Sequence, residues 1–266
     1  MADLFNTFFT SLIAGGCAGC AVDLVLFPLD AIKTRLMANA TAKLELSKIY
    51  KGLSMAMAAS FPCAATFWAS YCSMKWILEN YASPSSPTML HFLSAIFGSA
   101  CTACVRNPFE VVKSLMQVGA YKSVQSASQG ILKTKGPSGF YVGLLSLIYR
   151  EIPFDAMQMI IYEYLKGSDY GGSELSLYRH LINGAVAGGF SAFVTTPIDV
   201  AKVRIQTDKG EGKYRSFLQT IKLIYKTEGL PALWSSWKIR VIYITVGGMM
   251  FFGTYEAVKA EMAIQV

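Results

Sequence analysis

One six-residue pattern recurs three times in this chain, and it limits the fold more than any other feature. Pro28-Leu29-Asp30-Ala31-Ile32-Lys33 returns as Pro108-Phe109-Glu110-Val111-Val112-Lys113 and again as Pro197-Ile198-Asp199-Val200-Ala201-Lys202. The copies stand 80 and 89 residues apart, a period longer than most solenoid units. A second element follows each proline and aligns without gaps: Tyr71-Cys72-Ser73-Met74-Lys75, Tyr162-Glu163-Tyr164-Leu165-Lys166 and Tyr255-Glu256-Ala257-Val258-Lys259. Small residues precede each proline at matching offsets, as Gly15 and Gly19, Ala95 and Ser99, Gly184 and Gly188. Such spacing lets helix backbones approach closely in lipid.

Apolar runs surround these elements. They predict spans at 7–37, 53–79, 90–118, 143–166, 178–207 and 239–261, each long enough to cross a hydrocarbon core of about 30 Å. The expected fold is therefore all-α. Six transmembrane helices form three homologous two-helix repeats, approximately 4–82, 83–170 and 171–266, within one membrane domain, 1–266. Three such repeats predict a pseudo-threefold bundle around a central path. Polar stretches at 38–52, 119–142 and 208–238 hold most of the loop lysines and short helical patterns such as Phe217, Ile221 and Ile224.

Composition agrees with a membrane protein. Of 266 residues, 15% are charged and 53% hydrophobic, against about 25% charged in soluble domains. The net charge of +7 lies in loops between apolar runs, which fits membrane orientation and not a nucleic-acid patch. Cys17 with Cys20 and Cys101 with Cys104 have CxxC spacing, but they sit inside apolar helical runs without a histidine nearby. They are expected to be packing residues, with no metal site and no cofactor. The N-terminal residues carry neither a secretory signal nor an Arg-rich transit pattern, so targeting is expected to be internal.

The motif Pro-x-[Asp/Glu]-x-x-[Lys/Arg], present three times with its [Tyr/Phe]-[Asp/Glu]-x-x-[Lys/Arg] partner, resembles the mitochondrial carrier family along essentially the whole chain. That resemblance implies the mitochondrial inner membrane, base-rich loops facing the matrix and termini toward the intermembrane space. It further implies a matrix gate of three interhelical pairs, Asp30 with Lys113, Glu110 with Lys202 and Asp199 with Lys33. The alternative is pairing inside one helix, since i and i+3 share a face. Gln117 and Gln206 take the family's brace position, where the first repeat has Met37. An opposite gate would draw on Lys75, Glu163, Lys166, Glu256 and Lys259. Cys72 stands there in place of an acid, and Leu115 where a base is usual.

Charges inside a span are costly and mark function by default. Arg150-Glu151 is such a pair, at the level where the family meets its substrate, with Tyr243 and Phe67 at comparable positions. Helical spacing is expected to bring Phe154 and Gln158 to the same face. Asp23 is a further mid-span acid. A structural ion pair for Arg150-Glu151, or a merely hydrogen-bonded Asp23, is the competing reading. Arginine suits a carboxylate, acids suit cationic groups, and aromatic faces suit both a cation and a base ring.

The segments Tyr149-Arg150-Glu151-Ile152-Pro153-Phe154, Ser60-Phe61-Pro62 and Arg106-Asn107-Pro108, with the run from Asp23 to Asp30, resemble the S-adenosylmethionine carrier branch. The branch implies exchange of S-adenosylmethionine for S-adenosylhomocysteine by a monomer. The sequence offers no positioned nucleophile or base pair with a stabiliser, so no enzymatic activity is expected; the expected partners are those solutes and membrane lipid, cardiolipin included, with no nucleic acid. Another cationic amino acid, a nucleotide-like metabolite, or a proton leak or scaffold role are the alternatives.

Overall fold

A proline inside a helix removes one backbone donor and crowds the carbonyl four residues back, yet two of the three repeat prolines lie within unbroken helices. In this computed structural model, which describes residues 2–38, 49–81, 87–166, 175–208, 212–214 and 216–264, the elements are helical throughout. In chain order they are α1 (Ala2–Met37), α2 (Leu53–Tyr81), α3 (Pro87–Gln117), α4 (Val124–Lys135), α5 (Leu144–Lys166), α6 (Leu175–Val194), α7 (Thr196–Thr207), α8 (Phe217–Glu228), α9 (Leu230–Leu233) and α10 (Trp237–Ile264). Pro28 lies within α1 and Pro108 within α3. The third proline unit, expected as one span, is instead split at Thr195 into α6 and α7. There the hydroxyls of Thr195 and Thr196 donate to the carbonyls of Ser191 and Ala192, each at 2.7 Å. Such back-bonding competes with the helical ladder at the point where Pro197 already lacks a donor.

The long elements pack in a closed order: α1 on α2, α2 on α3, α3 on α5, α5 on α6, α6 on α10 and α10 on α1. Close approach at the first seam depends on small residues. A Cβ built on Gly19 would meet Ser60 Oγ at 3.3 Å, and one on Gly16 would overlap the Phe61 ring at 2.4 Å.

Polarity is arranged inside out. Val25, Ile160, Ile182 and Phe190 are each more than half exposed, while Asp30, Asp199, Lys202 and Arg240 are buried. An apolar exterior around buried charge is the arrangement lipid selects. Among the described residues, two stretches are long and apolar enough by composition to cross a membrane, Ile13–Met37 and Met89–Gln117. Interior charge comes from these two helices, through Asp23, Asp30, Arg106, Glu110 and Lys113, and from α5, α7 and α10.

The short helices dock at one end of the bundle. α4 begins with a capping box between Ser123 and Ser126. Its Ala127 and Ile131 pack on Val111, Val112, Leu115 and Met116 of α3. Ile224 of α8 joins Met37, Val200, Val203 and Leu233 in a second apolar cluster.

Candidate functional site

Residues of α1, α2, α3, α5, α7 and α10 line a cavity of about 650 Å³, within the size range of small-molecule sites. Charged side chains from the three proline motifs form its floor. Lys113 Nζ lies 2.7 Å from Asp30 Oδ2, so α1 is joined to α3. Lys202 pairs with Glu110, so α3 is joined to α7. Gln117 Nε2 donates to the same Asp30 Oδ2 at 3.0 Å and braces the first pair. Gln206 Nε2 points instead at Asn107 Oδ1, 3.5 Å away. Met37, at the third brace position, is fully buried in the apolar cluster.

The third link differs from the expected Asp199–Lys33 pair. Lys33 Nζ stands 3.3 Å from Asp30 on its own helix and 4.9 Å from the centre of the Tyr243 ring. That is the within-helix alternative, reinforced by a cation–π contact. Asp199 is met from α10 and α5, by Arg240 Nε at 3.5 Å and Arg150 Nε at 3.8 Å. Arg240 is 1% exposed and also donates to Thr195 Oγ1 at 2.9 Å. Two guanidiniums already crowd Asp199, which leaves Lys33 the nearer carboxylate on its own helix.

Above this floor Glu151 accepts hydrogen bonds from both Arg150 on its own helix and Arg106 on α3. Arg150 also lies over the Phe154 ring, 5.9 Å from its centre. Across the cavity Ser60 Oγ on α2 donates to Asp23 Oδ2 on α1 at 3.4 Å. Phe67, Trp68 and Tyr243 complete an aromatic share of the lining. Phe154 and Gln158 lie off the lining. The Gln158 amide approaches Gly188 of α6, 3.7 Å from where a Cβ would sit. At about 100° per residue a position eight residues on is turned by about 80° from Arg150, enough here to face α6 instead of the cavity.

Sequence reasoning assigned no role to Arg240 or to Asp155, which accepts a hydrogen bond from Ser99 Oγ at 3.2 Å. Arg106 was visible only as part of a motif. Asp155 stands one turn after Glu151, and Arg240 three residues before Tyr243; those offsets are the signal that could have found them.

At the far end Lys75 Nζ lies 3.8 Å from Glu79 on its own helix, and Cys72 is exposed. The side chains of Glu163, Lys166, Glu256 and Lys259 lie outside the described residues. The cysteines are free thiols, and no cluster able to hold a metal occurs among the described residues. The interior therefore offers a closed floor of ion pairs beneath a chamber with separate cationic, anionic and aromatic faces.

Residues 5–48, 84–168 and 173–265 match the sequence model of the family described as mitochondrial carrier protein. The chain is 38% identical over 261 residues to the mitochondrial S-adenosylmethionine carrier protein of Danio rerio, covering 96% of this chain and 98% of that one. It is 36% identical over 264 residues to S-adenosylmethionine carrier 1, chloroplastic/mitochondrial, of Arabidopsis thaliana, covering 98% and 81%. Similarity to the mitochondrial S-adenosylmethionine carrier protein of Mus musculus is 36% over 259 residues, covering 95% and 94%.

Proposed function

This chain belongs to the mitochondrial carrier family, and we propose that it exchanges S-adenosylmethionine for S-adenosylhomocysteine by alternating access. The carrying observation is the chamber itself, where Arg106 and Arg150 share Glu151 on one wall and Asp23 with Ser60 occupies another. S-adenosylmethionine combines a carboxylate, an ammonium, a sulfonium and an adenine. In our reading Arg150 takes the carboxylate in a planar fork, while Glu151 and Asp23 face the two cationic groups. Phe67 and Tyr243 offer ring faces to the adenine, and Phe154 holds Arg150 from behind. Relatives named as S-adenosylmethionine carriers support the assignment.

The protein acts as a monomeric single membrane domain of three repeats in the inner membrane, with both termini toward the intermembrane space. Cardiolipin is among the lipids proposed to contact it. The ring of Asp30, Lys33, Glu110, Lys113, Asp199 and Lys202 serves as the matrix gate, braced by Gln117 and Gln206. Lys75, Glu163, Lys166, Glu256 and Lys259 serve the opposite gate. The cavity side chains bind and gate; none is assigned a catalytic role.

Thermal unfolding of the purified protein against a panel of metabolites tests the assignment, because a ligand of the folded state raises the melting temperature. S-adenosylmethionine and S-adenosylhomocysteine should raise it, and arginine or ADP should not. Arg150→Ala should weaken the interaction by roughly ten- to a hundredfold, the loss of one charge-assisted contact. A shift by another solute alone would contradict the substrate assignment.

A further inference from the structure

Seven residues beyond each repeat proline stand Arg35, Leu115 and Arg204. Arg35 Nε donates at 2.6 Å to the carbonyl of Gln117, the last residue of α3. Arg204 Nε donates at 2.9 Å to the carbonyl of Met37, the last residue of α1. Both arginines are at least nine-tenths buried. Each leaves the end of one proline-motif helix, α1 or α7, and closes the end of a proline-motif helix in another repeat, α3 or α1. Carbonyls there lack intrahelical donors, and the helix dipole favours a cation.

Followed around the bundle, the next donor should rise from position 115 and close α7. Leu115 has no donor and packs in the apolar cluster on α3. Beside it remains a gap of about 10 Å³ bordered by Leu115, Lys135, Gln206 and Asp208. Gln206 Oε1 is buried there without a hydrogen-bond partner. Lys135, the last residue of α4, reaches across and sets Nζ 2.6 Å from the carbonyl of Asp208, the residue that follows α7.

We propose that Lys135 is a positioning residue that replaces the missing arginine at position 115 and completes a cyclic set of three helix-end caps. The set runs from Arg35 to α3, from Lys135 to α7 and from Arg204 to α1. It ties α1, α3 and α7 together on the matrix side, so its loss favours the state open to the matrix. Its sidedness rests on the carrier reading above; its contribution to the fold does not.

The test uses full-length protein carrying Lys135→Ala, Lys135→Arg, or Lys135→Ala together with Leu115→Arg. Lys135→Ala should lower the melting temperature. Lys135→Arg should keep it, and the double variant should recover it by restoring the repeat's own donor and filling the gap. In proteoliposomes with labelled S-adenosylmethionine, Lys135→Ala should raise half-saturation from the intermembrane-space side by up to about fivefold, one hydrogen bond's share of a two-state balance. Half-saturation from the matrix side should fall. A wild-type melting temperature in Lys135→Ala overturns the proposal. So does a reduced maximal rate with both half-saturation values unmoved, which marks a merely structural residue. Melting needs no substrate, so that arm decides the proposal even where the wild-type protein carries a different solute.

Discussion

Arg150 sits between two tasks: it binds Glu151, lies over Phe154, and holds its Nε 3.8 Å from Asp199. A substrate carboxylate arriving at this guanidinium competes with a floor acid for the same cation, so occupancy of the chamber is felt at the gate. Asp199 then depends on Arg240, which is buried against Thr195. Removing one partner of a buried pair costs about 3–5 kcal/mol because the other charge is left uncompensated. A double-mutant cycle on thermal stability should therefore give stronger coupling for Asp199→Asn with Arg240→Gln than for Asp199→Asn with Lys33→Gln. Equal or stronger coupling through Lys33 contradicts the observed arrangement. The Asp30–Lys113 and Glu110–Lys202 pairs could be read from the repeat, because both partners occupy motif positions. The pairing of Arg240 with Asp199 could not, since Arg240 lies outside both motifs and meets Asp199 through the tertiary placement of α10 beside α6.

Among the helices, the clearest departure from the repeat is the split of α6 from α7. Pro28, Pro108 and Pro197 are preceded by Phe27, Asn107 and Thr196, and only the third follows a pair of threonines that bond back to the preceding turn. The shared motif hides that difference, so one continuous span was the natural expectation. The short helices were legible as periodic apolar positions, but their docking partners were not. α8 is fastened to α7 by Arg204, which grips both carboxylate oxygens of Glu228. Those hydrogen bonds hold the Glu228 carboxyl below its usual range. A carboxyl lowered in the folded state adds stability above the ordinary glutamate value, about 4.3, and loses it as pH falls through the lowered value. Glu228→Gln should accordingly lower the melting temperature near neutral pH and leave it almost unchanged at the acid end. A uniform drop across the whole pH range would show that the carboxylate charge is not what fastens the helix.

For the molecule as a whole, the governing fact is that charge lies inside and apolar surface outside. Pairing across helices makes that tolerable, and pairs that can be exchanged make it useful, because a carrier needs two states close in energy. The sequence carries the six-helix plan plainly, through three motifs in register and apolar runs of membrane length. The chamber was half legible: the substrate level implied by the family resemblance reaches Arg150, Glu151 and Tyr243, whereas the sharing of Glu151 by Arg106 depends on how closely α3 approaches α5. The expected activity is exchange of a net-cationic, adenosyl-bearing solute for its zwitterionic, demethylated product. It is tested most directly by uptake of labelled S-adenosylmethionine into proteoliposomes holding the purified chain, either preloaded with S-adenosylhomocysteine or empty. Saturable uptake that internal S-adenosylhomocysteine accelerates is the expected result. Uptake of another metabolite with none of S-adenosylmethionine, or solute-independent proton current in place of exchange, would contradict it.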